Sequence, residues 1–222
     1  MKKRPMTRRE FLGSALGSGI VLVLGAAGLT TERTALAAQE GSETTLAAYA
    51  LIIDTTKCVG CGACRTACNL RNKLPGEASY IHILSKGEGP ERSFLPVQCQ
   101  HCAEPPCASV CPTKATYRRA EDGVVLINEK LCVGCKYCEL ACPYQARTFD
   151  EERGVADKCW LCLDLVQQGG NPACVDACVL GARLFGRRDD PNGDVSQLIA
   201  SGQATLLHPE FGTEPSILHY IV

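Results

Sequence analysis

The residues of this 222-residue chain whose type and spacing could do chemistry are its sixteen cysteines. All of them lie between Cys58 and Cys178, and they fall into four groups of four. The groups are Cys58, Cys61, Cys64 and Cys68; Cys99, Cys102, Cys107 and Cys111; Cys132, Cys135, Cys138 and Cys142; and Cys159, Cys162, Cys174 and Cys178. Thiolates repeated at such short intervals are typical of metal binding.

Disulfides, zinc and redox-active C-x-x-C pairs are the competing explanations for these cysteines, and redox-active pairs do not explain the fourfold repetition. Three cysteines spaced two residues apart point into one small volume, where a disulfide between two of them leaves the third unpaired. A tight C-x-x-C-x-x-C loop also does not readily provide the Cβ separation that a disulfide requires. One tetrahedral zinc ion needs two separated pairs of ligands, and a third and fourth close cysteine exceed that need. A zinc-stabilised structural module therefore remains only a weaker alternative.

An iron–sulfur cluster fits the spacing better. The third group and Pro143 match the bacterial two-cluster pattern C-x2-C-x2-C-x3-C-P, in which the fourth cysteine ligates the other cluster. Four such groups predict four [4Fe–4S] clusters, with three ligands from one group and one from another. Spacing alone does not show which groups are paired.

Residues 1–37 are typical of a targeting segment. The sequence Thr7-Arg8-Arg9-Glu10-Phe11-Leu12 precedes a weakly apolar stretch, and Ala35-Leu36-Ala37 supplies small residues for cleavage. The arginine pair resembles the twin-arginine signal, which implies export of a folded, cofactor-loaded protein to the periplasmic face of the cytoplasmic membrane. A retained membrane anchor is the alternative.

Charge and composition exclude other classes of protein. Residues 1–37 hold six of the 23 basic and two of the 24 acidic side chains, so the remainder is net acidic and does not favour a nucleic-acid binder. The histidines and carboxylates show no spacing typical of acid–base or nucleophilic catalysis. We therefore expect a non-catalytic chain without a small-molecule substrate of its own.

The elements that must position the cysteines are short. Residues 49–53 and 124–127 predict strands, and Asp122-Gly123 predicts the turn of a hairpin. Short helices are expected over residues 64–71, 138–141 and 172–178, and Pro105-Pro106 predicts an extended loop. The expected fold class is a loop-rich α+β arrangement of tandem bacterial ferredoxin-like double-cluster units, organised around four clusters, and an apo chain should be poorly folded.

Several segments resemble the four-cluster electron-transfer subunits of the dimethyl sulfoxide, polysulfide and tetrathionate reductase type. They are Cys99–Cys107, Cys111–Tyr117, Gly123–Asn128, Cys132–Cys138, Ala141–Arg147, Lys158-Cys159, Asn171–Cys174, Phe185-Gly186, Asp189–Asn192 and Gly212–Pro215. The resemblance covers about residues 50–217.

The resemblance implies a nested pairing of the first group with the fourth and of the second with the third. The implied ligand sets are set 1 (Cys58, Cys61, Cys64 and Cys178), set 2 (Cys68, Cys159, Cys162 and Cys174), set 3 (Cys99, Cys102, Cys107 and Cys142) and set 4 (Cys111, Cys132, Cys135 and Cys138). The matching division of the chain is a signal peptide (1–37), a linker (38–48), the first part of one ferredoxin-like half (49–97), an inserted double-cluster unit (98–150), the second part of that half (151–186) and a C-terminal tail packing on a partner or the core (187–222).

The function implied is electron relay between a membrane quinone module and an extracytoplasmic, molybdopterin-dependent oxidoreductase. The partners would be a molybdopterin-type catalytic subunit and a multi-helix, quinone-interacting membrane subunit. The alternative is the same relay in a hydrogenase or a sulfur-metabolism complex without molybdenum.

Other residues near the cysteines have expected secondary roles. His101 is not expected to be a ligand, because no cysteine is missing, and Trp160 is expected to shield a cluster. Lys57, Lys130 and Lys158 could raise cluster potentials, although solvated surface lysines are the simpler expectation for some of them.

Overall fold

The computed structural model describes residues 48–222 as short strands and helices joined by loops. The strands are β1 (Tyr49–Asp54), β2 (His82–Lys86), β3 (Ser93–Val97), β4 (Thr116–Arg118), β5 (Val125–Ile127), β6 (Thr148–Asp150), β7 (Val155–Asp157), β8 (Arg183–Arg187) and β9 (Leu218–Ile221). The α-helices are α1 (Ala63–Asn72), α2 (Pro106–Ser109), α3 (Tyr137–Leu140), α4 (Leu163–Val166), α5 (Ala173–Asp176) and α6 (Asp194–Ala200). Single 3-10 turns occupy Gly89–Glu91, Glu129–Leu131 and Pro209–Phe211. The mixed helix-and-strand class is confirmed.

The predicted export signal lies outside the described residues, as does the predicted linker up to residue 47. In the part of the chain that the structure describes, no helix has the length and apolar character needed to span a bilayer.

A three-stranded sheet in the order β8-β1-β9 is the largest sheet of the described chain. The central strand β1 pairs antiparallel with β8, placing Leu51 opposite Phe185, and parallel with β9, placing Ile52 opposite His219. Because side chains alternate along a strand, Leu51 and Ile53 join the cysteine-containing core while Ile52 packs on the other face, beside α6. The C-terminal segment thus forms a strand beside the first one.

The segments between consecutive cysteine groups each form a two-stranded hairpin: β2–β3, β4–β5 and β6–β7. The predicted hairpin around Asp122-Gly123 is confirmed, with Tyr117 opposite Leu126. The Asp122 carboxylate accepts hydrogen bonds from the Val124 backbone N–H at 3.1 Å and from Arg119 at 3.1 Å, which fixes the turn.

The three predicted helices are confirmed as α1, α3 and α5. The extended loop predicted at Pro105-Pro106 is wrong at its second residue. Pro105 is extended, with φ −79° and ψ 106°, but Pro106 is the first residue of α2. Proline suits that position because its missing N–H would have had no partner within the helix.

The main core combines aliphatic strand residues with cysteines. Six cysteines belong to this core: Cys64, Cys68, Cys99, Cys102, Cys159 and Cys174. Three buried tyrosines, Tyr80, Tyr144 and Tyr220, supply its aromatic rings. Since the thiols occupy the centre of the core, whatever they hold is part of the packing.

Candidate metal centres

The four cysteine loops share one backbone feature. The residue immediately before the second cysteine of each group has a left-handed conformation: Gly60 (φ 69°), His101 (φ 49°), Gly134 (φ 67°) and Leu161 (φ 63°). A left-handed residue after right-handed or extended ones turns successive N–H groups toward one concavity, an arrangement found at anion and Fe–S sites. The shared bend means that four loops of different sequence are built to surround the same kind of anionic group.

Glycine is required at two of these bends. A Cβ atom on Gly60 would lie 2.3 Å from the Phe94 ring, and one on Gly134 would lie 2.5 Å from the Gly154 carbonyl oxygen. Both separations are well inside van der Waals contact. His101 and Leu161 accept the strained conformation with full side chains, which is uncommon away from functional sites.

All sixteen cysteines are free thiols in the structure. Cys61 and Cys135 are exposed. Five others are partly buried, namely Cys58, Cys111, Cys132, Cys142 and Cys178, and the remaining nine are buried. The disulfide interpretation therefore finds no support.

Two cavities are each bordered by four cysteines. Cys58, Cys61, Cys64 and Cys178 lie in the wall of one cavity. Cys68, Cys159, Cys162 and Cys174 lie in the wall of the other. Each cavity thus brings together cysteines that are more than one hundred residues apart in the sequence (sets 1 and 2).

Electrostatic proximity shows which other thiols are neighbours. Burial raises the pKa of the Cys102 thiol to about 12, with contributions from Cys99, Cys107 and Cys142. Burial likewise raises the pKa of Cys138, to which nearby Cys132 and Cys135 also contribute. Cys111 is partly buried, and its sulfur accepts a hydrogen bond from the Thr116 backbone N–H. The ligand assignments themselves stay a prediction.

The arrangement of the thiols fits a polynuclear cluster and not a single ion. Among residues 48–222, no three cysteine, histidine or acidic side chains converge closely enough to bind one metal ion. A zinc ion would need sulfurs about 2.3 Å from a single point. Sulfurs that line a cavity without meeting at a point suit a [4Fe–4S] cluster, which would place one iron at each thiolate.

Several groups donate hydrogen bonds to the sulfurs. Asn72 Nδ2 lies 3.4 Å from Cys68 Sγ, and the backbone N–H groups of Thr116 and Ala146 donate to Cys111 Sγ and Cys142 Sγ at 3.5 and 3.4 Å. Such donors stabilise thiolate charge and tune the potential of a bound cluster.

Trp160 belongs to the second cavity, whose wall it shares with set 2. Its Nε1 donates to the Asn72 side-chain oxygen at 2.7 Å, and Asn72 in turn donates to Cys68. The indole thus lines the site and holds in place a donor to the Cys68 sulfur, while its shielding role stays a prediction.

His101 is fully buried. Its Nδ1 accepts the Val125 backbone N–H at 3.1 Å, so the ring proton is on Nε2. Nε2 has no hydrogen-bond partner among the described residues. Burial, with the charges of Lys158 and Arg147, holds the pKa of His101 well below its usual range, so the ring is a neutral donor.

Two buried arginines are the functional residues that sequence reasoning missed, and a third buried cation, Lys158, was expected near the cysteines but not in the interior. Arg147 and Arg183 are 5% and 4% exposed, and Lys158 is 2% exposed. The surface role considered for Lys158 is therefore wrong, whereas Lys57 and Lys130 are exposed as expected. One signal could have found the arginines: each lies five residues after the last cysteine of its group, Cys142 or Cys178.

Exposed apolar side chains lie close in sequence to the cysteines of sets 1 and 4. Val59 and Val179 are 58% and 88% exposed beside ligands of set 1. Near set 4, the exposed apolar residues are Val110, Leu131, Val133, Tyr137 and Leu140. Apolar surface of this kind is typical of protein interfaces.

These loops, cavities and cysteine groups define a four-cluster ferredoxin-like protein. Residues 90–188 match the family described as "4Fe-4S dicluster domain", and residues 51–68 match "4Fe-4S binding domain". The chain is 39% identical to a tetrathionate reductase subunit of Salmonella typhimurium, covering 77% of this chain and 71% of that protein. It is 41% identical to a sulfite dehydrogenase subunit of Allochromatium vinosum (78% and 82% covered) and 38% identical to a polysulfide reductase subunit of Wolinella succinogenes (76% and 92%).

The chain belongs to the family of iron–sulfur electron-transfer subunits that includes these three proteins. Its sixteen cysteines hold four [4Fe–4S] clusters. When bound, these clusters accept and release single electrons, and the chain's role is to order them, shield them and set their potentials.

Proposed function

We propose that this chain passes electrons along a row of four clusters between two partner proteins that dock at its two ends. The clusters are held by the nested ligand sets 1 to 4, so that residues 98–150 form an inserted double-cluster unit between the parts 49–97 and 151–186. This is the tandem ferredoxin-like arrangement.

The observation that carries the proposal is a series of close pairs between neighbouring sets. The charge of Cys64 in set 1 raises the pKa of Cys174 in set 2, so these two thiols are neighbours. In the same way, the charge of Cys99 in set 3 raises the pKa of Cys159 in set 2. The charge of Cys107 in set 3 raises the pKa of Cys138 in set 4. These pairs support the linear order 1-2-3-4.

The exposure of the thiols supports the same order. All four cysteines of set 2 and three of set 3 are buried, and the two exposed cysteines, Cys61 and Cys135, belong to sets 1 and 4. Electrons would therefore enter and leave through the terminal sets, where exposed apolar side chains offer surface to partner proteins.

We further propose that one partner is a molybdopterin-dependent catalytic subunit and the other a quinone-interacting membrane subunit. Each of the three relatives is named as one part of a multi-subunit reductase or dehydrogenase, which supports a catalytic partner. The resemblance of Arg8-Arg9 and the segment after it to a twin-arginine signal supports an extracytoplasmic site.

The test is anaerobic purification of the tagged chain from its host, followed by metal analysis of the intact, active complex. The proposal predicts molybdenum in a catalytic subunit and an integral membrane subunit in the same complex. An active complex without molybdenum would favour the hydrogenase or sulfur-metabolism alternative. An isolated chain with no partner would contradict both.

A further inference from the structure

Three buried cations lie among the cysteine sets without a carboxylate partner. Arg147, Lys158 and Arg183 are all at most 5% exposed. None of the three forms an ion pair with an acidic side chain within residues 48–222. A buried charge without a counter-charge is very costly, so each of these cations needs an anion nearby.

Arg183 lies between set 1 and set 2. Its Nη1 donates to Cys174 Sγ at 3.4 Å and to the Gln98 side-chain oxygen at 2.8 Å. The guanidinium also lies beside Cys64 of set 1. Its Nη2 has no hydrogen-bond partner in the described part of the chain.

Arg147 lies between set 3 and set 4 in the same way. Its neighbouring thiols are Cys107 and Cys99 of set 3 and Cys138 of set 4. Nη1 donates to the Thr116 hydroxyl at 3.5 Å, and Nη2 is without a partner among residues 48–222.

Lys158 lies beside set 2 and close to His101, which belongs to the loop that carries Cys99 and Cys102 of set 3. Its Nζ donates to the Cys159 carbonyl at 2.7 Å and to the Val125 carbonyl. The charge acts on the Cys159 thiol of set 2 and on His101, which stands between two ligands of set 3. Each of the three junctions in the row therefore has one buried cation.

The counter-charge that these cations lack is supplied by the clusters. Four thiolates around a cluster give it a net negative charge, and each electron received adds another. A cation in the low-dielectric interior acts strongly on a charge a few ångströms away, and it favours the more negative, reduced form.

We propose that Arg183, Lys158 and Arg147 are potential-setting residues, each of which raises the midpoint potentials of the two clusters that it separates. The proposal rests on the nested ligand sets proposed above. The reaction concerned moves one electron from a reduced cluster to an oxidised neighbour, with no bond made or broken and no proton transferred. A cation shared by both clusters favours either location of the electron, so it raises both potentials in the same direction.

The test is an EPR-monitored redox titration of the anaerobically purified holoprotein, comparing wild type with Arg183→Met and Arg147→Met. We expect each variant to make reduction of two clusters about tenfold less favourable, which is about 59 mV lower for a one-electron couple. The two clusters affected by Arg183→Met should differ from the two affected by Arg147→Met.

Arg187→Met is the matched control for Arg183→Met. Arg187 is on the same strand β8, has 56% side-chain exposure and pairs with Asp189, so water and the carboxylate screen its charge. It should leave all four potentials unchanged. Arg183→Lys keeps the charge, so the potentials of both clusters should stay near the wild-type values.

Iron content and the number of one-electron transitions show whether a negative result contradicts the electron relay or only the role of the cations. A wild-type chain without four transitions contradicts the relay, whereas four transitions that Arg183→Met and Arg147→Met leave unshifted overturn only the role of the cations. If one neutral variant loses clusters, the other arginine and Lys158→Gln still test the shift. Loss of clusters in all three, with retention in Arg183→Lys, would assign the cations to cluster assembly and overturn the proposal.

Discussion

Cys61 and Cys135 occupy equivalent places in two different loops, each as the second cysteine of its group, and they are the two exposed cysteines of the protein. Each follows a left-handed glycine, Gly60 or Gly134. The remaining fourteen cysteines are partly or fully buried. Within residues 48–222, the surface therefore comes closest to the thiols at two places, beside Cys61 of the proposed set 1 and Cys135 of the proposed set 4.

An acidic substitution at the apolar surface near one of these two cysteines should weaken the binding of one partner protein and leave the other bound. Val179→Glu (Val179 is 88% exposed) and Leu140→Glu (85% exposed) should each weaken the binding of a different partner at least tenfold, because a charge is desolvated at an apolar interface. Co-purification of each partner with the tagged chain measures the effect, and the iron content should not change.

Leu84→Glu is the control for these substitutions. Leu84 is 55% exposed on β2, while its neighbour Ile83 lies in the wall of the set 1 cavity, so Leu84 faces away from the cluster. Equal loss of both partners in all three variants would contradict separate docking surfaces.

Gly134→Ala should cost more stability than Gly154→Ala. Both glycines have φ +67°, but a Cβ on Gly134 would meet the Gly154 carbonyl oxygen at 2.5 Å whereas one on Gly154 meets nothing within 4 Å. Gly154→Ala therefore isolates the conformational penalty, about 1 kcal/mol. Gly134→Ala adds a backbone clash beside Cys135 and should also lower iron content. Urea unfolding and iron analysis measure both effects, and equal values for the two variants would show that the clash is relieved without cost.

Stability should fall as the pH decreases from neutral toward acid because of His219. The residue is 3% exposed on β9, and burial, with the nearby charge of Arg188, lowers its pKa from 6.5 to about 4. Between these values the unfolded chain binds a proton that the folded chain does not, so stability is full above 6.5 and is lost as the pH falls toward 4. The loss from this group is at most about 3 kcal/mol.

The comparison that isolates His219 is urea unfolding of wild type and His219→Asn at about pH 7.5 and about pH 5.5. The variant should be less stable at the higher pH but should lose less between the two values. Identical pH slopes would contradict the assignment.

Removal of the clusters should unfold the chain. Six cysteines contribute to the main core, and the β-sheets are small, so the apo chain lacks the packing that the clusters provide. Chelation with oxidation should abolish most of the far-UV circular dichroism and any cooperative melting. A sharp transition in the apo chain would contradict a cluster-dependent fold.

Local features of this protein could be predicted from the sequence, while long-range ones could not. The cysteine groups, strand β1 and the hairpin at Asp122-Gly123 depend on spacing, β-branched residues and turn chemistry, which are written in neighbouring residues. The parallel pairing of β9 with β1 joins Ile52 to His219, and nothing near either strand encodes that choice.

Arg147 and Arg183 were missed, and the burial of Lys158 was not expected, for a related reason. Lysine and arginine are almost always exposed, so sequence reasoning assigns them to the surface unless a counter-charge is known. Here the counter-charge belongs to the clusters. The equal offsets of Arg147 from Cys142 and of Arg183 from Cys178 become meaningful only once both guanidiniums are seen beside thiols of two sets.

The nested ligand sets are tested most directly by EPR of single cysteine-to-serine variants at neighbouring and distant positions. Cys174 and Cys178 are four residues apart, yet we assign them to different clusters. We assign Cys178 to the same cluster as Cys58 and Cys61, which are far away in the sequence. The account predicts that Cys178→Ser and Cys61→Ser alter the same spectral component and that Cys174→Ser alters another. If Cys174→Ser and Cys178→Ser alter the same component and Cys61→Ser alters a different one, the nested ligand sets are contradicted.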